Sequence, residues 1–105
     1  MKLGEERIML SGTTARELLT SLKGRIAKAL TVYRRLPLEE ANALEGVCFA
    51  IDDFLLFSRN APKRRVSRFK SLSQFYRPVI EKSENQYVKE HIVPVLQKVS
   101  DEEWK

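Results

Sequence analysis

The stretch LEEANALEGVCFAIDDFLLFSR, Leu38 to Arg59, decides the fold. Leu44, Val47, Cys48, Ile51, Phe54 and Leu55 recur at three- and four-residue intervals, and at about 100° per residue they fill one arc of a helix. Phe49 and Leu56 fall on another side, so this segment is predicted to be a central helix covered from two directions. Pro37 holds Leu36 extended and suits the first turn of this helix. Glu39 and Glu40 sit where the helix dipole is positive.

Helical periodicity extends in both directions from this segment. Upstream, residues 1–12 read as an arm or short turn ended by Gly12. Thr14 and Glu17 then have the spacing of a capping box. Leu18, Leu19, Leu22, Ile26, Ala29, Leu30 and Tyr33 come next on one arc, predicting a helix over 14–35. Downstream, Asn60, Ala61 and Pro62 break the pattern. Lys63, Arg64 and Arg65 belong to the loop or to the start of a third helix over 66–77, which carries Val66, Phe69, Leu72, Phe75 and Tyr76 inward. Pro78 either kinks that helix or opens a fourth over 79–99. There Ile80, Tyr87, Val88, His91, Ile92, Val95 and Val99 repeat at helical spacing, and Pro94 is expected to bend the last turns. With no useful alternating strand pattern, the expected fold is all-α, a single-domain bundle of about four mostly antiparallel helices spanning 1–105.

Composition supports one folded domain. The 105 residues are 43% apolar and 31% charged, enough apolar matter for a core in a chain of single-domain length. Cys48 is the only cysteine, which excludes an intrachain disulfide or a cysteine-rich zinc site and favours a reducing, cytoplasmic setting. No signal peptide is read at the N-terminus. The longest apolar run, Val47 to Phe57, is interrupted by Asp52 and Asp53, so neither a membrane span nor a membrane partner is expected.

Charge is segregated along the chain. Leu18 to Leu38 holds five basic residues and no acid, Phe54 to Ile80 holds seven and no acid, and the net charge is +5. A polarised surface is implied, of the kind that meets a polyanion. Arg16, Lys23 and Arg34 share one ridge of the first helix, with Arg35 beside them. Lys63, Arg64, Arg65, Arg68 and Lys70 concentrate cations within one or two turns, an arrangement that a phosphate backbone rewards through counterion release. Arg68 adjoins Phe69, and Arg77 adjoins Tyr76 and Phe75. Exposed rings there would stack bases, whereas buried ones belong to the core.

The chemistry of catalysis is thin. His91, the sole histidine, is expected as a partly buried structural residue, and Cys48 as a small core hydrophobe. Asp52 and Asp53 diverge by about 100° on the helix, so they do not converge on one ion without outside ligands. Asp52 is expected to pair with an arginine of the first or third helix, the alternative being metal or acid-base work. No catalytic residue, metal or cofactor is assigned. Arg64, Arg65, Val66 and Ser67 also form a string that basophilic kinases accept.

A compact, basic, motif-free bundle of this size resembles the small subunit of multisubunit CRISPR effector complexes, and the N-terminal MKLGEERIML, which reads like the middle of a protein, fits the origin of such subunits from a larger one. The resemblance implies a non-catalytic structural subunit in antiviral defence that stacks on its own copies and on other subunits. It would bind the backbone of single-stranded DNA or RNA, or of a hybrid duplex, without reading sequence. Arg16, Lys23, Arg34, Arg35, Lys63, Arg64, Arg65, Arg68 and Lys70 are the candidate contacts. The alternative is a small interaction module, such as a phage-borne inhibitor or adaptor, whose basic face docks on an acidic protein.

Overall fold

The computed structural model describes residues 9–10, 12–32, 36–57 and 62–104. Four helical segments carry the fold: α1 (Gly12–Val32), α2 (Leu38–Phe57), α3 (Pro62–Glu81) and a last helix entered at Gln86, whose π-helical turn Val88–Ile92 leads into α4 (Val93–Asp101). Met9–Leu10 pairs in parallel with Glu103–Trp104, a two-residue ladder too short for any alternating pattern to announce it.

Each helix packs against two neighbours in a cycle, α1 on α2, α2 on α3, α3 on α4 and α4 back on α1. Side-chain contacts give every pair an antiparallel sense. Arg16 and Lys23 meet Leu55 and Asp52; Asp53 meets Arg68 and Gly46 meets Tyr76; Lys70, Ser73 and Glu81 meet Glu102, Ser100 and Gln97; Arg25 and Lys28 meet His91 and Tyr87. This up-and-down all-α bundle is the expected architecture.

The core is built from the predicted arcs. Ala15, Leu19, Leu22, Ile26 and Ala29 of α1 alternate at four and three residues, and all are fully buried. They meet Leu44, Val47, Ile51 and Phe54 of α2, Phe69 and Ile80 of α3, and Val88, Ile92, Leu96 and Val99 of the last helix. Burying a side chain of this kind contributes about 1.5–3 kcal/mol. Where α3 and α4 approach, the buried hydroxyls of Ser73 and Ser100 lie 3.0 Å apart, and Ser73 also donates to the Lys70 carbonyl, so neither polar group is orphaned.

Several boundaries differ from the periodicity reading, each for a local reason. α1 starts at Gly12, which places Thr14 inside the helix rather than at its cap. α3 starts at Pro62, since proline suits a first turn, and Lys63 to Arg65 are therefore helical. It continues through Pro78 to Glu81. Pro78 and Gln74 are exposed, so water can take the carbonyl that Pro78 has no N–H to bond. The fourth helix begins only after residues 82–85, because Asn85 is its cap. The Asn85 Oδ1 accepts from the Val88 amide at 3.1 Å, and Ser83 Oγ accepts from the Asn85 amide. The π turn lies immediately before Pro94, whose ring cannot follow a tight α turn; the wider turn shifts the helical phase. Leu96 is consequently buried and His91 exposed, the reverse of the structural histidine expected.

Gly46 of α2 faces the ring of Tyr76 on α3. A Cβ built there would overlap the ring of Tyr76, so only glycine admits the tyrosine. Around Gly24 of α1, by contrast, nothing lies within 4 Å of such a Cβ. The same substitution should therefore have opposite signs at the two sites. Gly24→Ala is expected to stabilise the protein by about 0.5–1 kcal/mol, and Gly46→Ala to destabilise it by about 1–3 kcal/mol through overpacking. Urea denaturation of both variants measures this, and equal effects would contradict the packing described.

Candidate nucleic-acid interface

Half of the described cations of the two basic blocks, Lys23, Arg65, Arg68 and Arg77, meet carboxylates in space. α2 contributes no Lys or Arg, and it lies between the two basic helices. Its adjacent aspartates point to opposite neighbours. Asp52 takes Lys23 of α1 at 2.5 Å, a lysine rather than the expected arginine. Asp53 takes two arginines of α3, Arg65 Nη1 at 3.4 Å and Arg68 Nε at 3.2 Å. The hydrogen bond with Asp52, and then its charge, holds the Lys23 ammonium above the ordinary lysine value.

Other candidates are also engaged. Arg16 is half-buried, with its guanidinium 5.7 Å from the Phe54 ring centre and Nη1 3.5 Å from the Leu55 carbonyl. Lys70 donates to the Glu102 carbonyl at 2.8 Å. Arg34 and Arg35 lie outside the described residues, as does the side chain of Lys63, although the Lys63 backbone is placed in the first turn of α3. Arg77 clasps α3 to α4. It forks onto both carboxylate oxygens of Asp101 and donates to Glu81 at 2.7 Å. That fork holds Asp101 below the usual carboxylate range, while hydrogen bonds from Gln97 and then Arg77 hold Glu81 down.

The outward face of α3 carries the remaining basic signal. Arg64 is exposed and makes no ion pair with a described residue. Arg68, four residues on, touches Asp53 yet keeps 57% of its side chain in solvent. Seven further on, Phe75 is 74% exposed, its ring edge against Tyr76 at 5.1 Å between centres. Spacings of four and seven place all three on one side of the helix. Ser67, Ser71 and Gln74 are the exposed residues between them. Phe75 was expected inward with Phe69 and Tyr76; only Phe69 is fully buried, and Tyr76 is half-buried over Gly46. Its outward position accords with the wheel, since Phe75 lies seven residues from exposed Arg68 and six from buried Phe69.

A second polar and aromatic cluster was missed by sequence reading, because it joins cations of α1 to rings of the last helix. Tyr87 and His91 stack at 4.8 Å, the Lys28 ammonium lies 5.3 Å from the Tyr87 ring centre, and Arg25 donates to the His91 carbonyl at 2.9 Å. Glu90 stands beside it, 3.9 Å from His91 Nε2. Among the described residues no three His, Cys, Asp or Glu side chains gather as a metal site, and no helix is long and apolar enough to cross a membrane.

No family model, curated protein or solved structure matches the chain.

Cys48 is half-buried beside Asp52 and Glu45, and burial followed by the Asp52 charge pushes its thiol up to about 11. It is thus overwhelmingly protonated at neutral pH, the reverse of an activated nucleophile. Alkylation by iodoacetamide at pH 8 should be at least about tenfold slower in the folded protein than in urea, where the thiol returns to about 8.5. Asp52→Asn should accelerate it. The folded state loses stability as pH rises from the unfolded thiol value through the folded one, because only the unfolded chain ionises there.

Proposed function

We propose that this chain is a non-catalytic nucleic-acid-binding structural subunit that touches phosphate backbone without reading sequence. The outward stripe Arg64, Arg68 and Phe75 on α3 is the single observation that carries the reading. Two guanidiniums one turn apart suit successive phosphates. A ring two turns further along, exposed on the same face, offers a base a stacking platform. The setting implied by the sequence resemblance, a multisubunit CRISPR effector complex, accommodates such a module, since arrayed copies strengthen individually weak contacts by raising local concentration. In this reading Asp53 limits the interface, because it withdraws part of the charge of Arg65 and Arg68.

Binding of a fluorescent single strand and of the matching duplex across a salt series tests this. Wild type should bind with a steep salt dependence, and Arg64→Ala with Arg68→Ala should reduce the slope by roughly one unit for each phosphate no longer neutralised. Asp53→Asn should tighten binding by releasing the two arginines. Phe75→Ala should weaken the single strand by about 1–3 kcal/mol and the duplex much less. Absence of binding at low salt, or slopes indifferent to the double substitution, would overturn the proposal.

A further inference from the structure

The opposite chemistry is found on α2. Leu38, Asn42, Glu45, Phe49, Asp52 and Leu56 succeed one another at intervals of four, three, four, three and four, the spacing of a helix seam that receives another helix. Within the seam Asp52 is bridged by Lys23 of α1, and the apolar positions stand open. Leu38 is 76% exposed, Phe49 76% and Leu56 72%, and these are three of the five large apolar side chains most exposed among the described residues. From Leu38 to Leu56 the seam runs about 27 Å at 1.5 Å per residue.

Its polar positions are acidic. Glu45 and the flanking Glu39 are exposed, no described cation pairs with either, and α2 supplies no positive charge of its own. Beside Phe49 an open depression is lined by Glu45, Cys48, Phe49 and Asp52. It combines a ring and a thiol with two carboxylates, of which Asp52 already holds Lys23 and Glu45 has no described cation. A Lys or Arg side chain fits that description, with an aliphatic stem for the ring and a cationic head for Glu45. Within the depression Asp52 and, less strongly, Glu45 disfavour ionisation of Cys48, while Lys23 acts the other way.

We propose that the outward face of α2 is a docking seam for a cationic amphipathic helix of a partner protein, with a Lys or Arg side chain seated in the depression beside Phe49. Apolar residues of the incoming helix cover Leu38, Phe49 and Leu56, while its flanking cations meet Glu39 and Glu45. Charge complementarity selects this occupant over an acidic or neutral helix, since a carboxylate brought against Glu39 and Glu45 would be repelled. The seam is on a different helix from the Arg64, Arg68 and Phe75 stripe, so the inference stands apart from nucleic-acid binding.

A synthetic three-heptad peptide with Leu at the seam positions and Arg beside them serves as probe, titrated calorimetrically and by backbone amide shifts against the full chain. Two controls accompany it: a scrambled peptide of the same composition, and a twin with Glu for Arg. The cationic heptad peptide should bind at least about tenfold tighter than either control, a difference of about 1.4 kcal/mol. Its shifts should centre on residues 38–56. Phe49→Ala and Glu45→Lys should each weaken binding at least about tenfold. Both positions are exposed, so circular dichroism should be unchanged. Equal binding of the scrambled peptide would reduce the contact to bare charge and overturn the proposal, as would shifts centred elsewhere. Self-association of the wild type that Phe49→Ala abolishes would also overturn it, by showing that a second copy covers the seam.

Discussion

The divergence of Asp52 and Asp53 sets the arrangement of this bundle. Adjacent residues on a helix point about 100° apart, so an acidic doublet cannot serve one neighbour alone. Asp52 reaches Lys23 on α1, and Asp53 reaches Arg65 and Arg68 on α3. Each basic neighbour of the cation-free helix thereby has its own charged contact with it. Little of the stability comes from these contacts, because pairs this exposed contribute about 0–1 kcal/mol each. They act on register. Sliding α1 or α3 along α2 by one turn would separate the charges while also lifting Leu19, Leu22 and Phe69 out of their places in the core. Gly46 enforces the same register sterically, since only there can the Tyr76 ring pass α2.

That doublet also explains why linear charge overstates the free charge. Seven cations without an acid from Phe54 to Ile80 suggest a wholly cationic surface. In the folded chain the compensating acids come from α2 and from the C-terminal end of α4, which sequence separation conceals. Arg65 and Arg68 face Asp53 and Arg77 faces Asp101, while Lys70 donates to the neutral Glu102 carbonyl. Helical wheels identify which face a residue occupies, but not which helix stands opposite. The four helices and most of the core were accordingly legible in the sequence, whereas the distribution of partners among the cations was not.

The last helix shows a second limit. Val88, His91, Ile92, Val95 and Val99 fit a regular 3.6-residue period, and Pro94 promised only a bend. One π turn instead inserts an extra residue into the phase, so Leu96 enters the core and His91 leaves it. The start of that helix was legible in principle. Ser83 and Asn85 form a turn and a cap of the usual chemistry, yet the apolar residues on both sides of them suggest an uninterrupted helix. Phe75 was misplaced for a related reason. An aromatic between two inward positions looks like core until the exposed arginine seven residues earlier is taken as the stronger guide to its face.

The two outward faces that remain are chemically opposed. On α3 two guanidiniums and a ring stand in solvent; on α2 leucines, a ring and carboxylates do. Both faces belong to the same helical hairpin, and they meet at the Gly46–Tyr76 contact, where Phe75 leans on Tyr76. A polyanion on α3 would compete with Asp53 for Arg65 and Arg68, and partly exposed pairs such as these change partners at small cost. A bundle held mainly by its apolar core can rearrange such surface pairs without unfolding, so Asp53 could release its arginines while the buried residues keep the helices in register.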